Sequence, residues 1–489
     1  MKRFARCQFA VLSCQTTDNR QPITGTSSCP LVALIAFVTL SAFAAQTPPP
    51  PPAAPRPIRW PTITEKKLDN GLIVVMAPLA SVPKITTELT FLAGRGTEYR
   101  THPGLAQLAG RVLSEGTKSR SSKQLKEELR AIGGSMNVNV DDDSTTITAS
   151  ALSEFSPQLF DLLSDVARHP SYEKSEVDLA KSNFVSEIEE DRSTPDFVAQ
   201  EQLEKAIFGR HPYGFVVPEP ADIHKVNRVQ LQAFAAARYV PNNAHLIIVG
   251  DFDPDATFPL VQKTFASWQR APLPVEAVST PPTREKRQIY FVDRPSSVQS
   301  TIVVGALAVP RKSPDYIALR TANMIYGGAF YSRLTRNIRE AKGYTYSPFS
   351  VADLRRRSGT FWTSAAVRNE VTGPAILEML YELDRMRVAP VTQEELDAAR
   401  IYSLGTLSLE LESQSGLASR ISSIYTYDLP HDFLQTFQPR LEALTPAEIQ
   451  KAAAKYFDTY HGAVVVVGDY AQVKDQVAPF GDVVLIPAR

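Results

Sequence analysis

An internal repeat is the feature that most constrains the fold of this 489-residue chain. Residues 239–252 read YVPNNAHLIIVGDF and residues 457–470 read FDTYHGAVVVVGDY, so both segments place an apolar strand before Val-Gly-Asp and an aromatic residue. An alanine-rich helical segment precedes each copy, and Gly250 and Gly468 are 218 positions apart. Repetition at this distance predicts two lobes of similar construction.

The boundary between the lobes is expected within residues 271–286. This segment is rich in proline and polar residues and has no periodicity, which is typical of a linker. The predicted N-terminal lobe covers residues 61–270, and the C-terminal lobe covers residues 287–489. The alternative is a surface loop within one lobe, and the spacing of the repeat favours a linker.

Strand and helix patterns alternate along the lobes. Residues 86–91 and 145–152 alternate apolar and polar side chains, whereas residues 155–167 carry apolar side chains at helical spacing. Residues 193–195, Ser-Thr-Pro, end one helix and begin the next. We therefore expect an α+β fold of two homologous lobes, each an antiparallel sheet with helices packed on one face.

An uncharged apolar run near the N-terminus predicts export. Residues 31–44 read LVALIAFVTLSAFA and end in an A-x-A pattern. A bilayer span needs about 20 apolar residues, so this shorter run favours a signal peptide over residues 1–45, with the periplasm as destination. An uncleaved signal that tethers the protein to a membrane remains the alternative.

Residues 46–60 follow the predicted cleavage point and contain five consecutive prolines, which is typical of an extended linker. Cys7, Cys14 and Cys29 all precede that point. The mature chain would therefore have no disulfide and no thiolate metal site.

Charge and motif searches exclude several functions. Lys and Arg number 52, as do Asp and Glu, so the formal net charge is zero and nothing indicates a nucleic-acid partner. None of the seven histidines lies within five residues of another, so no local pair of metal ligands exists. No G-x-S-x-G nucleophile motif occurs.

Several short motifs occur in a defined order along the chain. They are GRGTE at 94–98, GLA at 104–106, GT at 116–117, HPYG at 211–214, YVPNN at 239–243, SRL at 332–334, IRE at 338–340 and GYTYS at 343–347. In order and spacing these motifs resemble the pitrilysin/insulinase family of zinc metallopeptidases. The resemblance covers residues 61–469, and it implies that the two lobes form half of a clamshell chamber.

In that family Gly-Leu-Ala is followed by H-x-x-E-H on a helix, where two His bind zinc and the Glu is the general base. A Glu 76 residues beyond the second His is the third ligand. This chain has Gln107, Gly110 and Arg111 at the three motif positions, and only Glu187 remains. We therefore expect a degenerate motif without metal, in which Arg111 forms an ion pair with Glu187.

The resemblance also implies a role for Arg339 and Tyr346, which match an Arg-Tyr pair in the second lobe of the family. There the Tyr hydroxyl stabilises the oxyanion of the tetrahedral intermediate, and the Arg holds substrate carbonyl groups. The alternative is a surface Arg and a core Tyr. Arg333 and Tyr344 lie nearby in sequence and compete for the same roles.

These observations predict a non-catalytic subunit of a heteromeric zinc peptidase. A homologous H-x-x-E-H subunit would supply zinc, and this chain would contribute its Arg-Tyr pair while an unfolded peptide binds as an added strand. Two alternatives remain open. One is a non-enzymatic peptide-binding or assembly protein of the same fold, and the other is a stand-alone hydrolase with an unrecognised site.

Overall fold

The computed structural model describes residues 57–97, 102–275 and 279–487. The predicted signal peptide, the three cysteines, the five-proline run, Glu98 and residues 276–278 lie outside the described residues. Within the described ranges, no helix is both long enough and apolar enough to cross a bilayer.

The first lobe contains a six-stranded sheet with the order β1-β2-β6-β3-β5-β4. Its strands are β1 (Thr64–Lys67), β2 (Ile73–Pro78), β3 (Lys84–Phe91), β4 (Ser135–Val140), β5 (Thr145–Leu152) and β6 (Ala244–Gly250). β4 is therefore one edge of this sheet, and β1 is the other.

The second lobe repeats the arrangement, with the order β12-β7-β11-β8-β10-β9. Its strands are β7 (Gln288–Asp293), β8 (Gln299–Ala308), β9 (Phe349–Leu354), β10 (Gly359–Arg368), β11 (Ala463–Gly468) and β12 (Val483–Ile486). Strands β7 to β11 occupy the positions of β2 to β6, and the repeated Val-Gly-Asp segments end the matching strands β6 and β11.

The two sheets differ at one edge. The outer position next to β2 is filled by β1, which precedes it in the chain, whereas the position next to β7 is filled by the C-terminal strand β12. Both sheets are mixed rather than wholly antiparallel, because β2 pairs with β6 in parallel and β7 pairs in parallel with β11 and β12.

Helices surround both sheets. Those of the first lobe are α1 (Leu105–Leu113), α2 (Ser122–Ala131), α3 (Ser156–Arg168), α4 (Lys174–Ser193), α5 (Pro195–Phe208), α6 (Pro220–Lys225), α7 (Arg228–Arg238) and α8 (Pro254–Phe265). Those of the second lobe are α9 (Tyr316–Asn323), α10 (Thr372–Val388), α11 (Gln393–Leu411), α12 (Gln414–Thr426), α13 (Phe433–Ala443), α14 (Pro446–Tyr456) and α15 (Tyr470–Val477). Two π-helical turns, Met324–Gly328 and Thr335–Ala341, follow α9.

Local capping signals fix several helix ends. As predicted, α4 ends at Ser193 and α5 begins at Pro195, whose ring suits the first helical turn. Capping boxes at Ser121, Thr392 and Thr445 satisfy the first N–H groups of α2, α11 and α14. The α+β class with two similar lobes is confirmed, and the exact lobe boundaries remain a prediction.

Each lobe also lends one helix to the sheet of the other lobe. Ala199 and Leu203 of α5 pack on Val303 and Val465 of the second sheet. In the opposite direction, α12 covers the inner face of the first sheet, where Gln414 accepts a hydrogen bond from Thr86 at 3.0 Å. The central strands are thus covered on both faces, which agrees with the complete burial of β6 and β11.

A buried ion network joins the lobes at the β4–β5 turn. Asp142 accepts hydrogen bonds from Arg95 and lies 3.0 Å from the Arg355 guanidinium, which also binds Glu204 and Asp353. Burial opposes ionisation of Asp142, yet Arg95 and Arg355 keep its pKa below the ordinary value. Burial raises the pKa of Glu204 to about 7 despite its contact with Arg355.

The GRG and HPYG motifs build this junction. A Cβ atom on Gly94 would lie 2.4 Å from the carbonyl oxygen of Asp141, so only glycine permits the chain to approach the turn. On the other side, the Tyr213 hydroxyl accepts a hydrogen bond from the Arg357 N–H at 3.1 Å and donates one to Asp143. These two motifs therefore have structural roles at the lobe junction.

Candidate functional site

Helix α1 carries the degenerate metal motif. It begins after Gly104, which adopts a positive φ of 84°, and it buries Leu108 and Val112 in the core of the first lobe. Gln107 and Arg111 are partly exposed, as their one-turn spacing on the same helix face requires. Among the described residues, Gln107 Oε1 is buried without a hydrogen-bond partner.

Arg111 reaches across to α4 and forms the ion pair that the sequence suggested. Its Nη1 lies 2.7 Å from one carboxylate oxygen of Glu187, and Nη2 lies 2.9 Å from the other. The guanidinium carbon is also 4.2 Å from the ring centroid of Phe184, one turn earlier on α4. A permanent cation thus covers the one remaining carboxylate of the motif.

Gly110 stands where the family has its general base. A Cβ atom there would lie 2.2 Å from Cγ2 of Val140, at the end of edge strand β4. Val138 is the next neighbour on the same strand, 3.7 Å from that Cβ. The absence of a side chain at Gly110 therefore lets Val140 of the edge strand pack directly against α1.

The residues at this position do not fit a catalytic zinc ion. A catalytic zinc ion needs three protein ligands from His, Cys or carboxylate side chains. The three motif positions carry instead the amide of Gln107, the hydrogen atom of Gly110 and the guanidinium group of Arg111. Within the described ranges, no group of three or more such ligands lies close enough to hold a metal.

Two buried histidines have structural contacts. His211 Nδ1 accepts a hydrogen bond from the Tyr213 N–H at 3.2 Å, and burial with the nearby Arg357 and Arg355 lowers its pKa to about 4. His245 Nε2 lies 2.9 Å from Ser422 Oγ, and burial lowers its pKa to about 3. Both rings are therefore neutral at physiological pH.

Arg339 and Tyr346 lie together on the surface of the second lobe. Arg339 belongs to the π-helical turn after Leu334, and its guanidinium carbon lies 4.6 Å from the ring centroid of Tyr346. The same carbon lies 4.5 Å from the ring centroid of Phe330. Tyr346 is 79% exposed and Phe330 is 66% exposed, so the stack faces solvent.

Arg339 and Tyr346 line an open groove at the start of edge strand β9. Neighbouring strands and α5 complete the groove. Its remaining lining residues include Asp196, Gln299, Tyr344, Phe349, Ser364 and Arg368. The Tyr346 hydroxyl and the Arg339 guanidinium thus provide a neutral donor and a cation on one accessible wall.

The structure separates this pair from its sequence neighbours. Arg333 donates two hydrogen bonds of 2.7 Å to the carboxylate of Glu395 and is mostly buried, so it holds α11 rather than a ligand. Tyr344 lines the groove but packs partly against the core. Phe330 was not predicted, because no local sequence signal indicates that it stacks on Arg339.

Two family models match consecutive parts of the chain. Residues 74–220 match the model described as insulinase (peptidase family M16), and residues 225–402 match the peptidase M16 inactive domain. Together these matches cover about two thirds of the chain. The chain belongs to the insulinase family. The resemblance read from the sequence motifs is thereby confirmed.

Relatives of this insulinase-family chain align over most of its length. A Mycobacterium tuberculosis protein described as an uncharacterized zinc protease is 26% identical over 402 residues, which are 82% of this chain and 92% of the relative. The Bacillus subtilis uncharacterized zinc protease YmxG is 24% identical over 358 residues, 72% of this chain and 85% of the relative.

Solved structures share the fold of this insulinase-family chain. A peptidase M16 inactive domain from Pseudomonas fluorescens superimposes with a TM-score of 0.78 at 23% identity, over 83% of this chain and 98% of that structure. A Helicobacter pylori protease superimposes with a TM-score of 0.79 at 19% identity, over 83% and 99%. These likenesses establish the architecture of the two lobes.

Edge strands of both sheets lie at the candidate sites of this insulinase-family member. β4 ends beside the degenerate motif on α1, and β9 begins beside the Arg339–Tyr346 stack. Among the described strands, each pairs on one side only. Unpaired edge N–H and C=O groups can hydrogen-bond an extended peptide.

Proposed function

We propose that this chain is the non-catalytic subunit of an exported, two-component zinc peptidase. A homologous partner with H-x-x-E-H binds zinc, and this chain contributes Arg339 and Tyr346 to the reaction of an unfolded peptide. One observation carries the proposal: an exposed Arg339–Tyr346 stack coexists with a metal position filled by the Arg111–Glu187 ion pair.

The chemistry of the pair supports a transition-state role. Cleavage of a peptide bond places negative charge on the former carbonyl oxygen, and a pre-oriented hydroxyl donor stabilises that charge. Tyr346 is exposed enough to approach a substrate bound between subunits. The Arg339 guanidinium already packs against the rings of Phe330 and Tyr346, so it loses little further freedom when it binds a substrate carbonyl.

The degenerate motif supports the part of the proposal in which a second polypeptide supplies the zinc site. Because Arg111 neutralises Glu187 and Gly110 supplies no base, water activation has to come from another polypeptide. The free edges of β4 and β9 support binding of an extended peptide through backbone hydrogen bonds. Export rests on the apolar run at residues 31–44, and cell fractionation tests it directly.

Co-purification with a candidate H-x-x-E-H partner tests the proposal. Peptide cleavage should require both chains and should stop when a chelator removes zinc. Tyr346→Phe should lower activity without weakening the complex, whereas Tyr381→Phe, an exposed tyrosine on α10, should have no effect. Full activity of the partner alone, or of the Tyr346→Phe complex, contradicts the proposal.

A second function is supported by the same sheet edges. A non-enzymatic member could capture peptides at β4 or β9 without any partner. Fluorescence anisotropy with labelled unfolded peptides separates the two functions. The non-enzymatic function is favoured if the isolated chain binds peptides tightly, if Tyr346→Phe leaves this binding unchanged, and if no partner gives activity.

A further inference from the structure

Three arginines lie around Tyr316, at the start of α9. Arg311 lies in the loop after β8, Arg320 lies one turn further along α9, and Arg420 belongs to α12. Arg320 Nη1 donates a hydrogen bond of 3.2 Å to the Tyr316 hydroxyl. All three guanidinium groups are close enough to Tyr316 to lower its pKa against the opposing effect of burial. We call these four residues the arginine cluster.

Arg311 is the least exposed member of the cluster. It is 7% exposed, and its guanidinium carbon lies 3.4 Å from the Tyr316 ring centroid and 4.7 Å from that of Phe433. Among the described residues, its Nη1 is buried with no hydrogen-bond partner. Burial and the nearby arginines lower its pKa to about 10, so it remains charged at neutral pH. A buried donor without an acceptor is costly.

The carboxylates near the cluster are already engaged. Glu410 binds Arg420 through two guanidinium nitrogens. Within the described ranges, neither Arg311 nor Arg320 forms an ion pair. Asp315, the neighbour of Tyr316, accepts hydrogen bonds from Lys455 and Tyr456. Among the described residues, Arg311 and Arg320 both contact Tyr316 and neither has a carboxylate partner.

Acidic residues also approach from the lobe junction. Burial and the carboxylates of Asp141, Asp143 and Asp353 raise the pKa of Tyr427, which lies 5.9 Å from Arg311. Asp353 is bound by Arg355, and Asp143 accepts the Arg356 N–H at 2.9 Å. Asp141 accepts the Ser144 hydroxyl at 2.9 Å, so all three carboxylates have donors of their own.

Part of the cluster is exposed to solvent. The Arg420 side chain is 24% exposed, and Arg320 and Tyr427 are half-buried. The rings of Tyr316 and Phe433 pack against the guanidinium group of Arg311. A small ligand with several acceptor oxygens can reach the half-buried Arg320 and accept hydrogen bonds from its guanidinium group.

We infer that the arginine cluster binds a small oxyanion, either free phosphate or the carboxylate of a peptide. Guanidinium groups suit such ligands because their planar N–H pairs match two oxygens at once. An anion at this point would hold α9 of the second lobe to α12, the helix that covers the first sheet. The inference is independent of the proposed peptidase role.

Isothermal titration of the full chain with inorganic phosphate tests the inference. One saturable site per chain is expected, and Arg320→Gln should weaken it about tenfold because one charged donor is lost. The matched control is Lys312→Gln, which removes an exposed cation from the same loop, and it should leave the affinity unchanged. Circular dichroism confirms that each variant is folded.

Further arms keep the test decisive. Tyr316→Phe retains the ring under Arg311 but releases Arg320, so it should also weaken binding severalfold. Acetate and a tripeptide, compared with the amidated tripeptide, distinguish a carboxylate ligand from phosphate. Absence of a saturable site for every oxyanion overturns the inference, as does equal affinity in Arg320→Gln and Lys312→Gln. The inference also fails if the wild-type chain shows tyrosinate absorbance at pH 7 and Tyr316→Phe abolishes that absorbance. The Tyr316 phenolate would then be the counter-ion of the arginines.

Discussion

Arg111 and Glu187 form a two-point ion pair across α1 and α4, with N–O distances of 2.7 and 2.9 Å. In the insulinase family the second motif histidine and the distal glutamate hold one metal ion between them. Here the Arg111 guanidinium contacts the Glu187 carboxylate directly. The ion pair thus links α1 to α4, and its place in a degenerate metal motif stays a prediction.

Replacement of Arg111 and Glu187, singly and together, should give non-additive losses of stability. The two side chains are 35% and 49% exposed, so we expect a coupling free energy of at most about 1 kcal/mol. Urea unfolding of Arg111→Ala, Glu187→Ala and the double variant measures it. Asp178→Ala, paired with Arg111→Ala, provides an additive control. Additive losses in the Arg111–Glu187 cycle would reject the coupling.

Gly110→Ala should destabilise the chain although alanine favours helices. Helix propensity alone would add up to about 1 kcal/mol of stability. The new Cβ meets Val140 Cγ2 at 2.2 Å, and overpacking of this kind costs about 1–3 kcal/mol. Thermal unfolding should show a lower Tm, which Val140→Ala restores. A Tm at or above that of the wild type contradicts the predicted clash.

The same contact limits restoration of a metal site. A chain with Gln107→His, Gly110→Glu and Arg111→His should bind zinc weakly, because the glutamate side chain collides with Val140. Addition of Val140→Ala should increase the zinc retained after dialysis, as measured by atomic absorption. Equal zinc content with and without Val140→Ala would show that the edge strand yields freely.

Tyr346→Phe should affect catalysis rather than folding. Its side chain is 79% exposed, so the free energy of unfolding should change by less than about 0.5 kcal/mol. In the complex with a zinc-binding partner, kcat should fall about 100- to 1000-fold, which is typical for loss of one oxyanion donor. KM should change much less, and Tyr381→Phe should match the wild type. A change in KM alone would assign Tyr346 to substrate binding.

Glu88 and His245 lie on the sheet face covered by α12, and they should give opposite pH dependences of the free energy of unfolding. Burial raises the pKa of Glu88 to about 7, so its contribution to stability is lost as pH rises from 4.5 to 7. Burial lowers the pKa of His245 to about 3, so its contribution is lost as pH falls below 6.5. Glu88→Gln should therefore make stability rise with pH, by up to about 1.4 kcal/mol per pH unit. His245→Gln should make it fall.

Denaturant unfolding between pH 4.5 and 6.5 measures these slopes. In the wild type the two contributions oppose each other in this window, so the measured slope should be small. The double variant removes both groups and serves as the control. Parallel pH profiles of Glu88→Gln and His245→Gln are incompatible with this assignment.

Arg355→Ala should be the most destabilising of these single changes. Arg355 is buried between Asp142, Glu204 and Asp353. Its removal leaves Glu204 and Asp353 without this counter-ion and leaves Asp142 with Arg95 alone. Loss of one partner from a buried ion pair costs about 3–5 kcal/mol. Arg356→Ala is the matched control, because the described contact of Arg356 with Asp143 uses its backbone N–H. Similar Tm values for the two variants would argue against a stabilising network.

Local sequence determined the outline of this protein. The Val-Gly-Asp repeat predicted two similar lobes, because an apolar strand and its turn depend on neighbouring residues. Ser193 and Pro195 predicted a helix junction for the same reason. The substitutions at Gln107, Gly110 and Arg111 predicted a degenerate metal motif, because ligand chemistry is a property of residue type and spacing.

Only the tertiary structure decided how the lobes interlock and what surrounds the sites. Gln414 accepts a hydrogen bond from Thr86, although the two residues are 328 positions apart. Helices α5 and α12 each pack on the sheet of the other lobe through such distant contacts. Contacts of this kind leave no periodic pattern in the sequence. Two further contacts arise in the same way: Val140 packs against Gly110, and the Phe330 ring packs against Arg339. The fold brings these residues together, and no local sequence pattern predicts either contact. Periodicity assigns a residue to a helix or strand face, whereas its contacts depend on the side chains that the completed fold brings to that face.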